Sequence, residues 1–452
     1  MLEECSYLSS KVIELCSWGS MLSLCAGKTA LSGCRTASLS SAKALSSAAS
    51  GDVALPPRES SLGASFRKGT GGRASFNGNV VTVFGANGFL GFSLVNHLAK
   101  NGTQIIVPYR CDPHWVRQLK VVGELGQILF SPFQLKDERS IRTAVQHSNV
   151  VVNLIGSTIQ TKNYSFHETH VESTKRLARI AKEMGVKHFI HVSALGASLN
   201  PPKGHYSFNR EMLKTKAEGE LALREIFPEA VIVRPSIMYG FNDKFLTYYV
   251  SQFRRMPYRS IYLYGAGEKT YKMPLWVSDA AMGLEYLIRD MTSQGETYEF
   301  VGPHRHKLSE MIDYLYHKAR CYPEIGFGIR RHNIPDPFYL SYILLREQID
   351  KWMRIQGMAN RQWMDYVEAT NDVLTGCKTL ADLPLRPLAE FDKMAAKYVQ
   401  DKTVFTQRIA DQDEAYFVPP PVNIYPTQAV KRAPAPVKTE SKIYQKPFEL
   451  RV

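Results

Sequence analysis

Three glycines, an arginine, a serine and a lysine supply the residue types from which a nucleotide site can be built. Gly85, Gly88 and Gly91 stand at spacing G-x-x-G-x-x-G within Thr82-Val-Phe-Gly-Ala-Asn-Gly-Phe-Leu-Gly91. In such a motif the first glycine turns the chain off a strand, and the second leaves the backbone open to a pyrophosphate. The third lets the following helix lie close to the sheet. The helix start then offers unpaired N–H groups and the positive end of its dipole to the phosphates. The competing reading is a tight turn that binds nothing. Context favours a dinucleotide, because the apolar run Val80–Phe84 precedes the turn and helix-compatible residues follow it to Lys100, capped by Asn101-Gly102.

The nucleotide's identity is read at the end of the second strand. A site selective for NAD(H) places an acid there to bond the ribose hydroxyls. This chain has Tyr109-Arg110, with Asp112 the nearest carboxylate. A guanidinium can clasp a 2′-phosphate that a carboxylate would repel, so NADP(H) is expected over NAD(H). The alternative role for Arg110 is a plain surface charge. Ser193, at the end of the fifth strand, points into the crevice and could polarise a carbonyl; its alternative is a turn or helix-capping serine.

Reductase chemistry on such a scaffold also needs Tyr-x-x-x-Lys, in which the lysine lowers the phenol pKa. Lys216 is suitably placed, but Met212 stands four residues before it and cannot carry a proton. Tyr206 precedes Arg210 by the same interval, and arginine is a poor substitute. Tyr314/Lys318 and Tyr398/Lys402 match the spacing but fall outside the strand-helix region. The acid/base pair therefore reads as broken, and no catalytic residue is assigned.

The elements that must hold these residues alternate from Val80 onward. Strands are expected at 80–84, 104–109, 126–130, 149–156, 186–193 and 230–234. Helices are expected at 137–147, 166–184 and 212–226. That alternation predicts an α/β fold with a doubly wound parallel sheet and the ligand across its carboxyl ends. Beyond residue 240 the alternation weakens. Helices are expected at 278–291 and 308–319, with a short strand at 299–301. An apolar, aromatic helix is expected over 336–355, either core or docking surface.

Four regions follow: a targeting segment and linker over 1–75, a nucleotide-binding domain over 76–240, a smaller α-rich region over 241–417, and an extended Pro-rich basic tail over 418–452. Leu15 to Gly51 contains no Asp or Glu among many Ser and Ala residues, as in a mitochondrial transit peptide. Glu3, Glu4 and Glu14 depart from that composition, and a start at Met21 would leave a cleaner leader. The alternative is an ordinary disordered tail.

Composition sets bounds on function. The 452 residues carry a net charge of +14, with 44% hydrophobic and 22% charged residues, as in a globular protein with a sizeable core. No apolar run of about 18 residues marks a membrane span. No nucleic-acid motif accompanies the positive charge, so no nucleic-acid partner is expected. The seven cysteines form no C-x-x-C pair and read as thiols. The histidines do not cluster at a metal-ligand spacing, so no metal is expected.

Gly85–Gly91, His188-Phe-Ile-His-Val-Ser-Ala-Leu-Gly-Ala197 and Val233-Arg-Pro-Ser-Ile-Met-Tyr-Gly240 together resemble the atypical short-chain dehydrogenase/reductase superfamily, extended type. Ile105–Asp112, Gly123–Phe130, His147–Gly156 and Phe227–Ser236 resemble, within it, the NADPH-binding accessory subunits of mitochondrial complex I. The likeness runs from about Gly71 and fades beyond about Pro303. It implies a Rossmann-type domain with tightly held NADPH (or NADP+) and a role in assembly or stability, not in the main electron path. It implies the other complex I subunits as partners, in a large hetero-oligomer. The expected location is peripheral, on the matrix side of the inner membrane, with contact to its surface. By the same resemblance Gly85, Asn87, Gly88, Phe89, Leu90 and Gly91 match the pyrophosphate loop, and Arg110 matches the 2′-phosphate contact. Leu154, Ile155 and Gly156 match the segment beside the adenosine end. Ser193, Lys216 and Pro235 match the segments flanking ribose and nicotinamide. Two other classes remain open: an active reductase, epimerase or dehydratase using Ser193 and Tyr206, and a non-catalytic sensor of the NADPH/NADP+ ratio.

Overall fold

Valines and isoleucines in unbroken runs require strands covered on both faces, and the fold provides both covers. The computed structural model describes residues 72–250 except 208, 260–318, 330–333, 360–400 and 421–429, with residues 341, 343–345, 347–349 and 352 between them. The targeting segment expected over 1–75 lies almost wholly outside the described residues.

The central sheet is parallel and eight-stranded. Its strands are β1 (Val80–Phe84), β2 (Gln104–Tyr109), β3 (Ile128–Pro132), β4 (Val150–Asn153), β5 (His188–Val192), β6 (Val231–Pro235), β7 (Thr297–Phe300) and β8 (Lys378–Thr379), which lie in the order β8-β7-β6-β5-β4-β1-β2-β3. Strand order reverses between β1 and β4, which opens a crevice at their carboxyl ends. The sheet draws strands from both sides of residue 240.

Alternate residues serve opposite faces. Val81, Val83, Val150, Val152, Ile190 and Val233 pack against α1 (Phe89–Lys100) and, farther on in the chain, the helix Val277–Arg289. Phe84, Val151, Phe189 and Ile232 pack against residues of the three helices on the other face. Those helices are Glu138–Val145, Ser173–Glu183 and Glu211–Ile226. In chain order the helices are α1, α2 (Pro113–Lys120), α3 (Glu138–Val145), α4 (Ser173–Glu183), α5 (Glu211–Ile226), α6 (Phe245–Val250), α7 (Val277–Arg289), α8 (Leu308–Lys318), α9 (Arg361–Glu368) and α10 (Phe391–Gln400). Burying one such valine fully is worth about 1.5–3 kcal/mol, so each strand is held from both sides.

Helix α2 is absent from the expectations above. Its signal is Asp112-Pro113: the Asp112 carboxylate caps the helix by accepting from the His114 N–H at 2.9 Å, and Pro113 occupies its first turn. That cap engages the carboxylate that could have competed for a ribose. A π-helical turn, Glu168–Glu172, leads into α4.

A second core gathers Tyr239, α6, Ile261, Leu263, α8, Trp363, Met364, Phe391 and Val422. Residues 421–429, part of the tail expected over 418–452, lie against this body. Tyr425 donates its N–H to the Arg305 carbonyl at 2.8 Å, and Leu374 donates to that of Gln428 at 3.1 Å. Of the apolar helix expected over 336–355, the described positions are helical; Ile343 is buried, whereas Leu344, Leu345, Ile349 and Trp352 are exposed. No helix among the described residues is long and apolar enough to cross a membrane.

Candidate functional site

The glycine turn sits where β1 ends and α1 begins. Gly85 has φ +82°, a conformation that L side chains rarely adopt. A Cβ there would lie 3.2 Å from the Leu154 carbonyl group. A Cβ at Gly91 would lie 2.5 Å from the Gly85 carbonyl oxygen and 2.6 Å from the Ala86 Cα, both backbone atoms. Gly88 differs: it is exposed, and a Cβ there would meet only the Gly85 carbonyl, at 3.2 Å. The protein's own packing thus fixes Gly85 and Gly91, while Gly88 faces outward. No side chain caps α1 and no acid lies in its first turn, so its N-terminal amides face the crevice without a competing carboxylate. Phe89 and Leu90 pack into the core behind the turn, whereas Asn87 is exposed and donates to the Cys111 thiol at 3.6 Å.

Arg110 follows β2 and is exposed. Its guanidinium lies 4.8 Å from the Tyr164 ring centroid, and the Lys136 ammonium lies 5.1 Å from the same ring. Two cations thus flank one aromatic ring, Lys136 being also paired with Glu168 at 2.8 Å. Lys136 and Tyr164 had no place in the sequence reading, because the loop after β4 brings Tyr164 to β2 without any local pattern. Leu154 continues from β4, its N–H bonded to the Phe84 carbonyl at 3.0 Å. The Ile155 N–H donates to Asn153 Oδ1 at 3.0 Å, and Gly156 lies exposed beyond it.

The other end of the crevice holds Ser193, Lys216 and Pro235. Lys216 on α5 donates from Nζ to the Ser193 carbonyl at 2.9 Å. Desolvation lowers its pKa to about 8, partly opposed by Glu220. Glu220 is held by the Arg234 guanidinium, with Nε at 3.1 Å from Oε1. Ser193 is 2% exposed, and its Oγ lacks a hydrogen-bond partner among the described residues. An orphaned buried hydroxyl is costly unless something polar meets it, and a bound ligand would. Pro235 closes β6, its carbonyl accepting from Leu195 N–H at 2.9 Å. Met212 is 4% exposed and packs with Phe166, Ala194 and Leu213. Its thioether can pass no proton.

Two buried histidines organise this end. His170, in the π-turn, accepts from the Ser157 N–H at Nε2 (3.2 Å), so Nδ1 bears the proton and donates to Thr215 Oγ1 at 2.9 Å. The imidazole ties the loop after β4 to α5, one residue from Lys216. A Cβ at Gly219 would lie 2.5 Å from the His170 carbonyl, which is why α5 carries glycine there. His191 Nδ1 accepts from Asn153 Nδ2 at 3.1 Å, the amide being oriented by its bond to Ile155. Burial lowers the pKa of each imidazole to about 3, with the Lys216 charge adding to the effect. His170 escaped sequence reasoning because a histidine within a helix carries no motif.

Tyr206, the alternative proton donor, is buried, and its hydroxyl donates to Glu368 Oε2 at 2.7 Å. Tyr206→Phe is expected to cost about 1–3 kcal/mol of stability by leaving that carboxylate short of a donor. Thermal melts check this.

Sheet order, glycine turn and crevice define the class as a Rossmann-type fold. The NmrA-like family model matches residues 77–258. The structure of the Citrobacter triphenylmethane reductase superposes with a TM-score of 0.52 at 14% identity, covering 71% of this chain and 99% of that one, a likeness of fold. A mouse protein, NADH dehydrogenase [ubiquinone] 1 alpha subcomplex subunit 9, mitochondrial, is 42% identical over 250 residues, 55% of this chain and 63% of the relative. The protein of that name from Dictyostelium discoideum is 34% identical over 313 residues, 69% of this chain and 82% of the relative. The chain belongs to this family of alpha subcomplex subunit 9 proteins. Its match spans less than two thirds of the mouse relative's length.

Proposed function

We propose that the chain binds NADP(H) without turning it over. Its role would be that of an accessory subunit of mitochondrial NADH:ubiquinone oxidoreductase, on the matrix side of the inner membrane, supporting assembly and stability. The observation that carries this reading is the contrast within one crevice. The groups that would hold a nucleotide are present, while the position that would pass a proton is a buried methionine. The amides of α1 and the open Gly88 receive the pyrophosphate. Arg110, with Lys136 beside it, meets the 2′-phosphate. Leu154 and Ile155 line the adenosine end, and Gly156, whose Cβ would lie 3.7 Å from Lys216 Nζ, borders the other end. Ser193 and Lys216 bond the ribose and nicotinamide, with Pro235 as a wall. A nicotinamide dinucleotide supplies hydride chemistry in other proteins; here it contributes binding energy that stabilises the fold by mass action. The bond from Tyr206 to Glu368 weighs against the reductase alternative. Exposed Leu344, Leu345, Ile349 and Trp352 offer an apolar surface for partner subunits and the membrane face.

Arg110→Ala is expected to weaken NADPH binding about 30-fold and NADH binding little, since one charge-assisted pair is worth roughly 1.5–3 kcal/mol. Isothermal titration with both nucleotides reads this directly; equal losses for the two would remove the 2′-phosphate role. A mild-detergent native gel of mitochondria tests the assembly: migration with the NADH-dehydrogenase band supports it, and a free monomer overturns it. Substrate-dependent NADPH oxidation that disappears in Tyr206→Phe would instead favour the enzyme.

A further inference from the structure

Helix α9 bonds to three segments at the carboxyl end of the sheet. Asn360, its N-cap, donates from Nδ2 to the Thr158 carbonyl in the loop after β4. Gln362 donates to the Asn209 carbonyl, between β5 and α5, at 2.8 Å. The Tyr366 hydroxyl donates to the carbonyl of Pro235, the last residue of β6, at 3.3 Å. The Tyr366 ring packs against the cluster formed by Phe166, Ala194, Met212 and Leu213. A phenol from a distant helix thus lies against the cluster that contains Met212, the residue that stands where the reductase tyrosine would be.

The attachment is built in depth. Asp365 is fully buried and accepts from the backbone N–H groups of His205 at 2.9 Å, Tyr206 at 2.7 Å and Ser207 at 2.5 Å. A Cβ at Gly204 would lie 2.5 Å from Asp365 Oδ2, so the loop needs glycine to reach the carboxylate. Just beyond α9, Asp372 receives the fully buried Lys272 ammonium at 3.2 Å and the Ser236 hydroxyl at 2.6 Å. The loop after β4 also runs straight into the nucleotide site. Ser157 bonds His170, and its neighbour Thr158 bonds α9.

In an open α/β sheet the segments that α9 touches are those a substrate would meet. We propose that α9 is a built-in occupant of the substrate half of the crevice, so that residence of the nucleotide and docking of α9 are coupled. This rests on the nucleotide-binding reading above. Coupling is reciprocal: the factor by which docked α9 slows loss of the nucleotide equals the factor by which the nucleotide favours the docked helix, if association is unchanged.

The test is amide hydrogen exchange of the full chain with and without NADPH, alongside NADPH release chased with excess NADP+. Exchange at Tyr206, Ser207 and the α9 amides should slow ten-fold or more with NADPH. The double variant Asn360→Ala/Gln362→Ala should release NADPH about ten-fold faster, and Tyr366→Phe, which removes one hydroxyl, a few-fold faster. Protection at Phe89–Gly91 with no change at α9 overturns the coupling and leaves nucleotide binding intact. Unchanged release from both variants also overturns it. Protection at neither place removes the nucleotide reading itself, and this inference with it.

Discussion

Gly91→Ala abolishes nucleotide binding and costs about 3 kcal/mol of stability, at the upper end of overpacking effects. The added methyl would meet the Gly85 carbonyl at 2.5 Å and Ala86 backbone atoms at 2.6 and 2.7 Å. None of these is the end of a flexible side chain. Relief requires α1 to lift from β1, which opens the core around Val83 and Leu94 and spreads the amides of the glycine turn. Gly156→Ala is the comparison for stability alone, since its Cβ would lie 3.7 Å from Lys216 Nζ, an ordinary contact. Urea unfolding of both variants and NADPH titration of Gly91→Ala make the test. A Gly91→Ala protein that binds NADPH normally would mean that the helix need not lie so close.

The second large effect is acid sensitivity. Burial penalises the charged forms of His170 and His191 and pushes both down to about 3 in the folded chain from the usual 6.5. Between those values the unfolded chain binds more protons, so stability rises with pH there and is lost as pH falls below about 6.5. At about pH 5 each imidazole accounts for roughly 2 kcal/mol, so the pair removes about 4 kcal/mol relative to about pH 7.5. His188, lowered chiefly by burial, acts in the same direction. Urea midpoints of the native chain and of His170→Gln across this range give the measurement. The variant is expected to be weaker at neutral pH and flatter toward acid. Identical slopes would mean that His170 is protonated, or exposed, in the folded chain.

Local pattern carried much of this molecule. β2 spans Gln104–Tyr109 as its apolar run predicts, and α5 begins one residue before its expected start at Met212. The third strand lies slightly later than expected, at Ile128–Pro132, because Glu124 and Gln127 close a turn ahead of it. β8, two residues long, was not legible: Lys378-Thr379 has no strand pattern and is a strand only because β7 lies beside it. The site divides in the same way. The glycine turn, Arg110, Ser193 and Lys216 announce themselves by type and spacing. Tyr164, His170 and α9 do not, since each acts through a partner distant in sequence. The bond from Tyr206 N–H to Asp365 spans 159 positions.

That bond has a temporal meaning. A chain is delivered to its folding compartment from the N-terminus onward. The strands and helices from Val80 to Pro235 are complete well before Asp365 arrives. At ribosomal speed the delay is on the order of ten seconds. During that interval the crevice has its glycine turn and Arg110 but no helix across its mouth. Newly made protein would therefore pass through an open, loadable stage. The nucleotide content of the mature chain would then record what was available while it was being made.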